Sequence, residues 1–287
     1  MISTKNTNTF DHSVACLQHP SAAQRIVAID ALARLGDFRA FEHLLPILQN
    51  DQEELFVRQH AARAIGSLHD IRVVPYLVDM FRISPSQEQL SQIPLAGLSL
   101  DDLLAYGSSF LDPAILQSLQ LTSSATHHAI TNGIQEALLH AIKQALVEIG
   151  TAALPMLIKA LKDDHPNVRA EVAITLCYIH DNACIPALQQ VFHDPDPLVK
   201  QAIVTHISQF CDSRFFQHVW DATYDNDVSV RDAACFTLGR FAHFFERSQS
   251  IERLIQLATT DPSLNVRETA QDMLQRLEQW ATYEDQH

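Results

Sequence analysis

At 287 residues, the chain suits one or two ordinary domains or one elongated repeat domain. A hydrophobic content of 47% is ample for a core, and 7 glycines are few for a sheet-rich fold, whose tight turns consume them. A formal charge of −14 and the lack of any basic run argue against nucleic-acid binding, which rests on Lys and Arg neutralising phosphates; the acidic balance favours solubility and a basic partner.

The opening "MISTKNTNTF" has no apolar signal core, and residues 1–9 read as a disordered start. Repeats occupy residues 10–81. "SAAQRIVAIDALARLGD" places Arg25 33 residues before Arg58 of "FVRQHAARAIG". Between residues 82 and 128 the repetition is lost. Two helix signals stand in that insertion: "SLDDLLAY", with Ser99 as N-cap, and "DPAILQSLQL", with Asp112 as cap and Pro113 at the first helical position. Its many apolar residues, Leu103, Phe110 and Leu116 among them, fit either a divergent repeat or an element that docks a partner.

The repeats resume over residues 129–281. "LLHAIKQALVEIG" aligns through Ile149-Gly150 but lacks Val-Arg. Val168-Arg169, Val199-Lys200, Val230-Arg231 and Val266-Arg267 then follow at spacings of 31, 31 and 36 residues. Each unit is a first helix with an apolar stripe ("ALPMLIKAL", "CIPALQQVF"), a turn of Asp, Asn, His and Pro, and a second helix at Val-Arg/Lys. Val168, Val172, Leu176 and Ile179 keep a 3.6-residue period with one buried face, as do Val230, Ala234, Leu238 and Phe241. Pro166, Pro195 and Pro197 stop the first helices, and Asp or Asn caps the second. The fixed Arg invites an ion pair with an Asp of a neighbouring turn, repeated from copy to copy. No helix pair buries its apolar face alone, so stacking stabilises the array.

The segments "DDHPNVRAEVAITL", "HDPDPLVKQAIVTHI", "YDNDVSVRDAACFTLGRF" and "TDPSLNVRETAQDML" resemble HEAT repeats, more narrowly the HEAT-like repeats of the phycobilisome-lyase type, over roughly residues 10–80 and 135–280. The resemblance implies an all-α fold: a single α-solenoid domain, a right-handed superhelix of stacked helix pairs with one helical insertion. Second helices in such solenoids line the concave side. The positions opposite their buried stripe supply the candidate partner-binding face: Gln59, Arg63, Ile174, Tyr178, Thr205, Gln209, Asp232, Phe236 and Arg240. Its mixture of aromatic, Arg and Gln side chains suits an interface.

Two functions fit. One is a non-catalytic scaffold that holds a protein partner on the concave face. The other, implied by the resemblance, is a bilin lyase or lyase-like chaperone acting on phycobiliprotein cysteines. In that case Arg63 and Arg240 would pair with a bilin's propionates, and Tyr178 or Phe236 would stack on its rings. No catalytic motif favours an enzyme: HExxH, GxGxxG, GxxxxGK[ST] and GxSxG are absent. Deoxyhypusine hydroxylase, a HEAT-repeat enzyme, binds iron through His-Glu dipeptides. Here 15 histidines yield none, only the reversed Glu42-His43, so neither a metal site nor a cofactor is expected. His127, His128 and His140 would meet only if the fold joined them. Cys16, Cys177, Cys184, Cys211 and Cys235 form no CxxC and read as reduced thiols, with Cys177 and Cys184 lacking any activating neighbour in sequence. No apolar run approaches membrane-spanning length, and the expected compartment is the cytoplasm.

Overall fold

Apolar residues at helical spacing, punctuated by acidic turns, produce helix pairs along the chain. The computed structural model describes residues 2–82 and 124–284, with side chains over 8–82 and 136–280. The expected helices "SLDDLLAY" and "DPAILQSLQL" lie outside these residues. Among the described residues every regular element is helical. The structure divides into two compact units, Met1–Ala153 and Leu154–His287.

The N-terminal unit holds α1 (Ile2–Cys16), α2 (Ala22–Leu35), α3 (Ala40–Gln49), α4 (Leu55–Ser67), α5 (Val74–Met80) and α6 (Ser124–Ile149). The expected disordered start is helical from Ile2. No Gly or Pro interrupts the chain before Pro20, and buried Phe10, Ser13 and Leu17 anchor the helix, so it propagates backward from them. The second helices α2, α4 and α6 form a layer in which α4 packs on both neighbours. Gly66 permits the α4–α6 approach, and Ile65, Ile142 and Leu146 are fully buried. Contrary to the sequence expectation, the stretch Glu136–Ala160 has the length and apolarity of a membrane span, with a mean hydropathy of 1.4. A 3-10 turn at Gly150 (φ 69°) interrupts it, and Ala137, Ala141, Ile142, Ala145, Leu146 and Ile149 are buried within the protein.

The C-terminal unit alternates short first helices with longer second ones: α7 (Leu154–Ala160), α8 (Pro166–Ile179), α9 (Ile185–Val191), α10 (Pro197–His206), α11 (Phe216–Ala222), α12 (Val228–Phe241), α13 (Arg247–Thr260) and α14 (Leu264–Glu284). The second helices stack in the order α8, α10, α12, α14. Val168, Val172 and Leu176, like Val230, Ala234, Leu238 and Phe241, are buried as their period requires, while Ile179 is half-buried. Pro166 and Pro197 turn out to open the second helices rather than close the first. Their missing N–H groups are donors the first helical turn leaves unpaired anyway. Asp196 and Asp227 cap α10 and α12 by accepting from the amides of Leu198 and Ser229, at 2.9 and 2.8 Å.

The fixed Arg stitches repeat to repeat. Arg169 Nη1 donates to the carbonyls of Asp163 and Asp164 in its own turn, and its Nε reaches Asp194 of the next turn at 2.7 Å. Arg231 does the same with Asp225, Asn226 and Asp261. Lys200 binds the Asp225 carboxylate. In the N-terminal unit, Arg25 joins the carbonyls of His19 and Pro20 to Glu53. Arg58 departs from this pattern: its Nε donates back to the Leu48 carbonyl, and its ion pair is with Asp51 of its own turn.

Candidate functional site

Helices α8, α10 and α12 begin at residues 166, 197 and 228, so equivalent positions stand 31 residues apart. Tyr178 on α8 and Arg240 on α12 therefore share one repeat position with Gln209, which stands in the 3-10 turn Ile207–Gln209 after α10, and all three are exposed. Ile174, Thr205 and Phe236 share another, one turn earlier. Phe236 and Thr205 are half-buried, and the Thr205 hydroxyl donates to the Gln201 carbonyl at 2.8 Å. Ile174 is only 8% exposed and belongs to the core, which corrects its assignment to an open face. Helix α8 packs against α7, α9 and α10, leaving only a narrow free stripe.

Aromatic and cationic groups define the rest of this face. The Tyr178 ring lies 5.9 Å from that of His206 on α10. The Arg240 guanidinium lies 5.9 Å from the Phe236 ring centre, within cation–π reach, and has no acidic partner among the described residues. Asp232 has an internal role, accepting from the Thr269 hydroxyl at 2.6 Å and tying α12 to α14. Gln59, half-buried, and Arg63, exposed, lie on α4 of the N-terminal unit. Burial first, then the Lys143 and Arg63 cations, hold His140 below its ordinary value. The nine candidates thus fall in two units, two in one and seven in the other, with Ile174 in the core.

Catalytic chemistry finds little support in these side chains. Burial pushes the Cys235 thiol up to about 12 and raises Cys177 and Cys184 as well, the opposite of an activated nucleophile. Among the described residues no three His, Cys, Asp or Glu side chains gather as a metal site would require. His127 and His128 lie outside the described side chains.

A second row of contacts has its own sequence signal, Asp-x-Arg, distinct from Val-Arg. Asp37, Asp70 and Asp212 each open the next first helix and bind the Arg two residues on, with Nη2 to carboxylate distances of 2.5–2.6 Å. Arg39 and Arg72 then lie over the rings of Phe10 on α1 and Phe41 on α3, the preceding first helices, at 4.3 and 4.5 Å. Arg214 Nη2 reaches back to Asn182 at 3.0 Å. Because the Arg side chains are more than half exposed, although their carboxylates are part-buried, each pair contributes little on its own, and the row sets register more than stability.

Stacked helix pairs held by repeated Arg–carboxylate contacts define an α-solenoid repeat protein. A sequence profile of HEAT repeats matches residues 11–91 and 154–239, more than half of the chain, and the chain belongs to the HEAT-repeat family. It is similar to deoxyhypusine hydroxylase of Candida albicans, with 23% identity over 227 residues, covering 62% of this chain and 71% of that protein. Among solved structures it is similar to the complex of CpcE and CpcF of phycocyanin lyase from Nostoc sp. PCC7120, at 17% identity and a TM-score of 0.37, covering 93% of this chain and 94% of that one. Human deoxyhypusine hydroxylase follows at 17% identity and a TM-score of 0.34, covering 82% and 84%.

Proposed function

We propose that the chain is a non-catalytic binding scaffold, working in the cytoplasm, whose second-helix face in the C-terminal unit holds a segment of a partner protein. The observation that carries this reading is the row Tyr178, Gln209 and Arg240. A position the repeat does not need for stacking carries an exposed aromatic ring, an amide and an unpaired guanidinium in succession. Aromatic and Arg side chains are the residue types that dominate interface energetics. The free, reduced thiols are in keeping with the compartment.

The test is quantitative capture from native lysate, followed by mass spectrometry, with the full chain and with Tyr178→Ala, Phe236→Ala and Arg240→Ala. Helicity and melting are checked first. Proteins retained by the wild type are expected to fall by about tenfold or more with Phe236→Ala and Arg240→Ala. A capture profile unchanged by all three substitutions sinks the assignment. Mixing the same protein with a linear tetrapyrrole separates the lyase reading: a shifted visible band that Arg240→Ala abolishes would favour a pigment over a peptide.

A further inference from the structure

We draw no further inference here: the strongest candidate, the groove of about 360 Å³ between α7 and α9, which Ala187 leaves open where His218 fills the equivalent groove between α9 and α11 by stacking on Phe192, is an unpartnered face, and nothing in the structure shows what covers it.

Discussion

Gly66 lies where α4 meets α6 so closely that an added Cβ would stand 2.5 Å from the Cα of Ala145. Main chain cannot step aside, so Gly66→Ala is expected to destabilise the N-terminal unit by about 1–3 kcal/mol, despite the better helix propensity of Ala. Gly239 is a second such position. Its added Cβ would stand 2.8 Å from Met273 Cβ, which the main chain of α14 fixes and no rotamer moves. Gly239→Ala is expected to destabilise the C-terminal unit by about 1–3 kcal/mol, despite the propensity gain of about 1 kcal/mol. Urea unfolding of both variants checks the pair. Neither close approach was legible in sequence, because it depends on what the facing helix presents. The Val-Arg register was legible, and the structure gives Arg169, Lys200 and Arg231 the inter-repeat carboxylates that this register called for. Ile174 was misread because a helical wheel marks the side opposite the buried stripe without showing that neighbouring helices cover part of it.

Short first helices differ from their second-helix partners in what they leave at the surface. Between α9 and α11 the filling is an imidazole, and that makes the junction sensitive to acid. Burial, and then His193, hold His218 below its ordinary value, with Asp221 opposing. A folded-state value below the unfolded one, about 6.5, means that the unfolded chain takes up the proton first as pH falls. The stability His218 provides is therefore complete above pH 6.5 or so and is lost as pH drops through its folded-state value. His218→Phe preserves the stack on Phe192 without the titration. Comparison of urea midpoints at pH 7.5 and 5 is expected to show a smaller acid loss in the variant. The difference should stay below the ~1.4 kcal/mol of a full unit, because the ring is partly exposed. Carboxylates do not confuse this window. The Arg231 fork and the Ser263 amide overcome burial to hold Asp261 below the usual carboxylate range, and Arg214 lowers Asp212, so both titrate only in stronger acid. Helix positions were legible at this scale because apolar period and turn chemistry agree over the matched repeats. The open and filled grooves were not, since Ala187 and His218 differ in volume while sharing one place in the repeat.

Across a whole repeat array each unit touches only its neighbours, and stability is then close to a sum of units and junctions. The Arg ladder turns this into a measurement. Arg169 and Arg231 act two repeats apart and share no partner: the first uses the Asp163 turn and Asp194, the second the Asp225 turn and Asp261. Each substitution to Ala strands a largely buried carboxylate and is expected to cost about 3 kcal/mol. Their coupling in a double-mutant cycle should fall below about 0.5 kcal/mol. Lys200 and Arg231 differ from that pair because they meet at one turn. Lys200 binds the Asp225 carboxylate while Arg231 Nη1 donates to the Asp225 carbonyl at 3.0 Å. Loss of either loosens the turn the other grips, so this cycle is expected to show a coupling of about 0.5–3 kcal/mol. Equal couplings in the two cycles would mean that strain spreads through the array and that nearest-neighbour stacking does not describe it. The measurement also bears on binding. With junctions independent, a partner seated on the Tyr178–Arg240 row stabilises α8 to α12, and its effect on the unfolding of the N-terminal unit is expected to be nil.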